Sequence, residues 1–150
     1  MSVAFRRESD EEHKEPRFEL PIPAGPNLVT ARGRALIDER IAELEAGLSD
    51  ADAEASEAIR RDLRYWKTRR ATALPTAAPT GGTIGFGSVV QIKMNGKPRR
   101  IAIVGDDEAD PKAGSIAFTA PLARALLGAE AGDILPFGGR EHAIEVVAVG

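Results

Sequence analysis

The stretch that most constrains the fold runs from Ile101 to Phe137, where strand patterns alternate with turns and one short helix. β-Branched and aromatic residues, which suit a half-buried pleated surface, cluster at 101–104 and again at 116–118. Pro121 fits the first position of a helix, since the N–H that it lacks would be unpaired there in any case. Apolar residues then recur with helical spacing at Leu122, Ala125, Leu126 and Ala129. Gly128 suits a left-handed helix cap, so the stretch predicts a short helix docked on a sheet.

Helical patterns precede this region. Thr30 is a good N-cap, and a single apolar stripe follows at Ile37, Ile41, Leu44 and Leu48. Small and polar residues interrupt the pattern from Gly47 to Ala53. A second stripe is predicted at Ala55, Ile59, Leu63, Trp66 and Arg70. Two stripes joined by a short polar connector predict an antiparallel helical hairpin, or coiled coil, with about 19 residues in each helix.

The fold class predicted for the whole chain is α+β, with this hairpin followed by a small sheet domain. Val89 to Ile92 and Arg100 to Val104 flank Asn95-Gly96, a dipeptide typical of a tight hairpin turn, and a last strand is predicted from Ile144 to Val149. Together with the strands of the 101–137 stretch, they predict a mainly antiparallel sheet of four to five strands with one short helix.

Composition shifts set the predicted domain boundaries. Residues 1–26 are charged and contain four prolines, so we predict a mobile tail. The hairpin is assigned to 27–74. Small residues, two prolines and a Gly-Gly pair fill 71–83, and we predict a linker over 75–83 because such residues bury little surface. The sheet domain is assigned to 84–150.

Charge and composition narrow the functional classes. The chain has 150 residues, a formal net charge of −3 and no cysteine, which excludes disulfides and thiolate chemistry. A negative net charge favours a protein partner, with no direct sequence-specific DNA binding. No apolar run approaches the roughly 18 residues of a membrane span, and the N-terminus lacks a signal-peptide pattern, so we expect a cytoplasmic protein without a membrane partner.

Three linked motifs carry a family resemblance. In chain order they are VGDDEAD at Val104 to Asp110, TAPLARALLG at Thr119 to Gly128, and Gly132-Asp133. From about Ile84 onward the chain resembles the C-terminal domain of the Gre (GreA/GreB) family of bacterial transcription elongation factors. The resemblance implies an FKBP-like sheet domain and a non-enzymatic factor that binds bacterial RNA polymerase at its secondary channel.

The hairpin tip departs from the family pattern. In the cleavage-stimulating members, an acidic tip helps to hold a second Mg²⁺ beside the polymerase's own metal, so the resemblance implies no cofactor of the protein itself, only Mg²⁺ shared with the polymerase active site. The usual Gly-Asp, then Glu-Asn-Ala-(Glu/Asp)-Tyr tip motif is absent here, and the arms are shorter. The acidic candidates that stand at this tip are Asp50, Asp52, Glu54 and Glu57. Capping of the second helix by Asp50 and Asp52 is the alternative interpretation.

A basic cluster lies on the second predicted helix. Six bases fall within eleven residues, and the proposed basic face consists of Arg60, Arg61, Arg64 and Lys67. This face could meet acidic polymerase surface or RNA. Alternatively, Arg60 and Arg64 pair across the hairpin with Glu43 or Glu45.

The resemblance also implies that Thr119, Pro121 and Arg124 contact the polymerase. Ala120 stands where the family usually has serine, so we expect a weaker helix cap, supplied instead by the Thr119 hydroxyl. The acidic residues Asp106, Asp107, Glu108 and Asp110 are predicted to face solvent rather than to bind a cation. No metal site or catalytic residue is expected, and His142 has no partner at metal-site spacing.

Several functions stay open from the sequence. The factor could promote RNA cleavage, or it could occupy the channel and compete with longer Gre factors. A regulator of nucleoside diphosphate kinase, which shares the C-terminal domain, is an alternative binding protein. A peptidyl-prolyl isomerase is less favoured, because Phe86, Phe118 and Phe137 are the only aromatic residues after position 83.

Overall fold

The computed structural model describes residues 19–150, so the predicted tail lies outside the described residues up to position 18. Residues 19–26 form no helix or strand. Contacts divide the chain into two units. Among the described residues, one unit combines 19–24 with Asp38–Ala71, and the other combines Gly25–Ile37 with Thr72–Gly150.

Two helices joined by a tight turn follow the predicted pattern. Helix α1 spans Ala31–Gly47, a 3₁₀ turn covers Leu48–Asp50, and helix α2 spans Ala53–Thr72. Thr30 caps α1 as predicted, because its Oγ1 accepts a hydrogen bond from the Gly33 N–H at 2.9 Å. The helices contain 17 and 20 residues, close to the expected length.

The buried stripe of α2 differs from the predicted one at both ends. Ile41, Leu44 and Leu63 are buried, whereas Ala55 and Arg70 are exposed. Arg69 takes the inward position, is 2% exposed, and places its guanidinium 6.0 Å from the centre of the Tyr65 ring. The prediction was wrong at these positions because, with 3.6 residues per turn, an error of one residue in the assumed spacing moves a position from the buried face to the exposed one.

A short parallel ladder was not predicted. Strand β1 (Asn27–Val29) pairs in parallel with strand β2 (Ala73–Pro75), and the Asn27 side-chain amide donates to Thr72 Oγ1 at 3.1 Å. Of the predicted linker, 75–83, only Pro75 lies in this strand, while Ala73 and Leu74 belong to the segment assigned to the hairpin. Strand β2 is held without burying large apolar side chains, because the backbone of β1 supplies partners for its backbone hydrogen bonds.

The C-terminal part of the chain forms a mixed five-stranded sheet. Its elements are β3 (Val89–Met94), β4 (Lys97–Val104), β5 (Ser115–Ala117), helix α3 (Pro121–Leu126), β6 (Ile134–Phe137) and β7 (Arg140–Val149). The strand order is β5-β4-β3-β7-β6, with β4 and β5 parallel and the other pairs antiparallel. Asn95 and Gly96 have positive φ in the β3–β4 turn, as the dipeptide predicted. The fold class is thus α+β, and the FKBP-like topology stays a prediction.

Helix α3 docks on this sheet through its apolar side. Ala123 and Leu126 are fully buried in a core formed with strand residues such as Ile101 and Ile144. Gly128 has φ +87° just beyond the helix, in the left-handed conformation that the sequence predicted. The opposite side of α3 is left outside the core.

Candidate functional site

The start of α3 is set by proline and by the backbone rather than by a side-chain cap. Ala120 is extended and no side chain caps the helix, while Pro121 occupies its first turn. Thr119 does not act as the substitute cap, because its hydroxyl donates to Asp106 Oδ1 at 2.7 Å. That expectation was wrong since Thr119 faces the preceding acidic loop and not the helix start.

All three predicted contact residues lie at the exposed start or side of α3. Thr119, Pro121 and Arg124 are all exposed, while Ala123 and Leu126 of the same helix are buried. Leu127, which sequence reasoning missed, is 39% exposed at the end of this helix. The sequence feature that could have indicated it is the Leu126-Leu127 pair. Adjacent side chains point in different directions from a helix, so only one of the two can be buried against the sheet. We call Thr119, Pro121, Arg124 and Leu127 the α3 face.

The acidic loop, Gly105–Asp110, is held by the start of the helical hairpin. The Glu108 side chain is 6% exposed. It accepts hydrogen bonds from Thr30 Oγ1 at 2.5 Å and from Arg32 Nη1 at 3.1 Å. The prediction that these carboxylates face solvent is therefore wrong for Glu108. It was wrong because both partners lie more than 70 residues away in sequence, and the residues of the acidic turn give no indication of such distant partners.

Two other acids of the loop have structural roles. Asp106 fixes Thr119, as described above. Asp110 is exposed as predicted, yet its backbone closes the loop by exchanging hydrogen bonds with Ser115 at 2.8 and 3.2 Å. The loop is thus tied at both ends, and its position determines where Thr119 and the start of α3 lie.

Glycines allow the close approach around Glu108. A Cβ atom on Gly105 would overlap the carbonyl oxygen of Leu28, and one on Gly33 would lie 2.8 Å from Glu108 Oε1. A side chain at either position would push the acidic loop away from β1 and α1. The glycine of the GDDEAD motif therefore serves packing against the backbone of β1.

At the hairpin tip, the structure supports a capping role for one carboxylate. Asp52 Oδ1 accepts a hydrogen bond from the Ala55 N–H at 2.8 Å at the start of α2. Asp50 lies in the 3₁₀ turn, and all four predicted tip residues are exposed: Asp50, Asp52, Glu54 and Glu57. Within residues 19–150, no group of three or more His, Asp or Glu side chains has a geometry that could hold a metal ion.

The basic face of α2 meets partners that differ from the expected ones. The guanidinium of Arg64 donates to both carboxylate oxygens of Glu19 at 2.7 Å, and Lys67 Nζ lies 3.4 Å from Glu45. Glu43 pairs instead with Arg40, on its own helix. The predicted pairing of Arg60 and Arg64 with Glu43 or Glu45 is thus wrong in its partners.

The Glu19–Arg64 pair affects both ionisations. The hydrogen bond from Arg64 lowers the pKa of Glu19 below its ordinary value, and the same bond raises the pKa of Arg64. Arg60 is exposed one helical turn from Arg64, and Arg61 is half-buried. The basic face is therefore a real surface feature, and the segment before the hairpin already contacts it.

The fold and the exposed α3 face define a class: α+β proteins with a helical hairpin and a small mixed-sheet domain that presents a proline-initiated helix. Residues 78–150 match the family described as transcription elongation factor, GreA/GreB, C-terminal. The chain is 42% identical over 80 residues to transcription elongation factor GreA of Thioalkalivibrio sulfidiphilus, covering 49% of each chain. It is 39% identical over 86 residues to GreA of Allorhizobium ampelinum, covering 55% of this chain and 54% of that one.

The C-terminal part of the chain is therefore similar to the C-terminal domain of the Gre transcription elongation factors. It spans about half the length of the curated relatives that it matches. Among solved structures, GreA factor homolog 1 of Thermus thermophilus is 20% identical, with a TM-score of 0.40, over 84% of this chain and 99% of that one. No helix within residues 19–150 is both long and apolar enough to cross a membrane.

Proposed function

We propose that this protein is a Gre-family factor that binds bacterial RNA polymerase through the α3 face and directs its helical hairpin into the polymerase's secondary channel. The observation that carries the proposal is the exposure of Pro121 and Arg124 on a helix whose other side is buried, and of Thr119 just before that helix. These are the positions at which the Gre resemblance implies a partner contact. The partner's compartment, the bacterial cytoplasm, belongs to the same proposal.

The α3 face is preorganised for binding. Pro121 has a restricted φ, Asp106 fixes the Thr119 hydroxyl, and the acidic loop is held by Glu108. A surface that is already ordered loses little conformational entropy on association, so more of its contact energy contributes to affinity. Leu127 adds apolar area beside Arg124, and the family's missing serine hydroxyl at Ala120 removes one polar contact.

A binding experiment tests this docking surface. We expect Arg124→Glu to weaken binding of cognate core RNA polymerase about tenfold, since a charge at the contact is reversed. Pro121→Ala should weaken it by a smaller factor. The matched control is Lys112→Glu, which makes the same charge change at an exposed position on the 3₁₀ turn before β5. Equal affinity for Arg124→Glu and Lys112→Glu, measured by biolayer interferometry, would contradict the proposed surface.

The consequence of docking depends on the hairpin tip. Asp50 and Asp52 have oxygen ligands of the kind that Mg²⁺ prefers, although one oxygen of Asp52 already caps α2. If these carboxylates reach the polymerase's metal, the protein promotes cleavage of backtracked RNA by stabilising a second metal ion. If they do not, the hairpin occupies the channel and competes with longer Gre factors. In both cases the proposed protein has no catalytic residues or cofactor of its own.

Cleavage in a stalled, backtracked elongation complex separates these outcomes. The sharpest variant is Asp50→Asn/Asp52→Asn, because asparagine also caps helices and removes only the negative charges. Cleavage that the parent stimulates and this variant does not would establish a cleavage factor. A parent that stimulates no cleavage but blocks the action of a long Gre factor would establish a competitor.

Absence of both effects, combined with normal polymerase binding, would favour the alternative, a regulator of nucleoside diphosphate kinase type. The missing tip motif is the observation that keeps this alternative open. A peptidyl-prolyl isomerase is less favoured, because Phe86 is 9% exposed and packs edge-to-face on Phe118 at 5.5 Å. Those rings are engaged with each other in packing.

A further inference from the structure

Strands β3, β4 and β7 turn one face toward the core and the other toward solvent. Val90 and Ile92 of β3 are buried in the core that also contains α3, whereas Gln91 and Lys93, which alternate with them, are exposed. Helix α3 therefore packs on the inner face of the sheet. The outer face of these three strands lies on the opposite side of the sheet from α3.

An open groove of about 340 Å³ lies on this outer face, lined by Gln91, Lys93, Pro98, Arg100 and Val147 among other residues. Strand pairing brings them together, because Gln91 lies opposite Arg100 and Lys93 lies opposite Pro98. Val147 is 46% exposed and lies where the register of β3 and β7 shifts by a residue. Cationic and apolar side chains are thus neighbours in one groove, which we call the outer groove.

The outer groove carries net positive charge. Lys93 and Arg100 are exposed, and within residues 19–150 neither side chain forms an ion pair with an acid. The acid directly opposite Lys93 is Glu145, which offsets one charge at most. Between Asp62 and Asp106 the sequence contains no aspartate or glutamate, although the whole chain has a net charge of −3. A cationic surface on an acidic chain indicates a binding role for anionic groups.

The chemistry of the outer groove favours an acidic peptide over a nucleic acid. No aromatic side chain lines it, so bases would find no surface on which to stack. Pro98 and Val147 instead offer apolar area that suits an aliphatic side chain. Arg100 has the planar guanidinium that binds a carboxylate with two N–H groups.

The spacing of the two cations matches an extended chain. Lys93 and Arg100 are diagonal neighbours on paired antiparallel strands, a relation that separates Cβ atoms by about 7–8 Å. In an extended peptide, residues two positions apart point in the same direction and lie about 7 Å apart. Two acidic residues separated by one other residue can therefore reach both cations.

We propose that the outer groove binds an extended acidic segment of a protein partner, with alternate carboxylates on Lys93 and Arg100 and an aliphatic side chain on Pro98 and Val147. Because the outer groove and α3 lie on opposite sides of the sheet, this segment binds while the α3 face is occupied. The sheet domain then holds two protein surfaces at once. The inference goes beyond the proposed polymerase docking and does not depend on it.

A synthetic peptide provides the first test. The probe is a fluorescein-labelled peptide with two copies of Asp-Ser-Asp-Ser-Leu-Ser, in which the acids and leucines share one face when the chain is extended. Its neutral counterpart has asparagine in place of every aspartate. By fluorescence anisotropy with the full chain, we expect the acidic peptide to bind about tenfold more tightly than the neutral one. Raising NaCl from about 0.05 M to about 0.5 M should weaken its binding severalfold, because exposed charges are then screened.

The variants Lys93→Gln and Arg100→Gln each remove one of the two cations, and we expect each to weaken binding of the acidic peptide about fivefold. The matched control is Arg140→Gln, which makes the same change at an exposed position of β7 outside the outer groove and should leave the affinity within about twofold. Amide NMR shifts on adding the peptide should centre on Gln91, Arg100 and Val147. Far-UV circular dichroism checks that every variant is folded.

Several outcomes would overturn the proposal. They are equal binding of the acidic and neutral peptides, an equal loss in Arg140→Gln, or amide shifts that centre on α3. Tighter binding of a labelled decauridylate than of the acidic peptide would assign the outer groove to RNA and would also overturn it. Because no polymerase is present in this experiment, its failure would leave the proposed docking through the α3 face unaffected.

Discussion

The acidic loop and the hairpin tip contain similar numbers of carboxylates but use them in opposite ways. In the loop, Glu108 is nearly buried and binds Thr30 and Arg32, and Asp106 binds Thr119. At the tip, Asp50, Glu54 and Glu57 are exposed, and Asp52 makes a local cap. The difference lies in what surrounds each cluster. Donors from a distant part of the chain converge on the loop, whereas the side chains of the tip acids are exposed and, within residues 19–150, make one hydrogen bond, the local cap of Asp52.

The largest effect should come from the glycine that lets the acidic loop approach β1. Gly105→Ala places a Cβ atom against the backbone oxygen of Leu28, which cannot rotate away, so we expect a loss of about 3 kcal/mol in the free energy of unfolding. Gly81→Ala is the control, because a Cβ atom there meets open space. Thermal unfolding by circular dichroism measures both, and similar stability of the two variants would show that the loop can shift freely.

Removing the carboxylate of the loop should have the next largest effect. Glu108→Ala leaves the Thr30 hydroxyl and the Arg32 guanidinium without this acceptor, so we expect about 2 kcal/mol of destabilisation. Glu57→Ala makes the same change at the exposed tip and should alter the unfolding free energy by less than about 0.5 kcal/mol. Equal effects in urea denaturation would remove the distinction between the two acidic segments.

At the tip, only one carboxylate should matter for stability. Asp52→Ala removes the cap of α2 and should cost about 1 kcal/mol, whereas Asp52→Asn keeps an accepting oxygen and should cost close to zero. The measurement is helix content and melting temperature by circular dichroism. If Asp52→Asn is as destabilising as Asp52→Ala, the charge at Asp52, rather than its hydrogen bond, supports the helix.

The smallest effect concerns pH and the Glu19–Arg64 pair. Because the hydrogen bond from Arg64 lowers the pKa of Glu19 in the folded protein, the pair stabilises the fold above the unfolded pKa of this carboxyl. That contribution is lost as the pH falls through the lower, folded pKa. Carbon-13 NMR titration of the Glu19 carboxyl should show a lowered pKa that returns to the ordinary glutamate range in Arg64→Gln. A pKa unchanged by Arg64→Gln would contradict the contact.

Features set by a few neighbouring residues could be predicted from the sequence. Pro121 at the start of α3, the Asn95-Gly96 turn and the left-handed Gly128 each follow from the conformational limits of one or two residues. Their chemistry is local, and the Gre resemblance of the same stretch agrees with it. The exposure of Arg124 agrees with helical spacing around a buried side, whereas Thr119 lies before the helix and was singled out by the Gre resemblance.

Features that join distant segments could not be predicted in this way. The β1–β2 ladder has three residues on each side and includes Pro75, so neither segment shows a strand pattern of its own. The partners of Glu108 are separated from it by 78 and 76 residues. A single sequence contains no signal that links such positions, and charge alone suggested solvent exposure.

The parallel ladder of β1 and β2 also bears on how such a protein can change over evolution. The hairpin leaves from one strand and returns to its immediate neighbour, and the two are tied by backbone hydrogen bonds. Insertion or deletion of matched turns in α1 and α2 would therefore leave both points of attachment unaltered. The length of the hairpin, and with it the distance that the tip reaches, can therefore change by selection or by protein engineering while the sequence of the sheet domain stays the same.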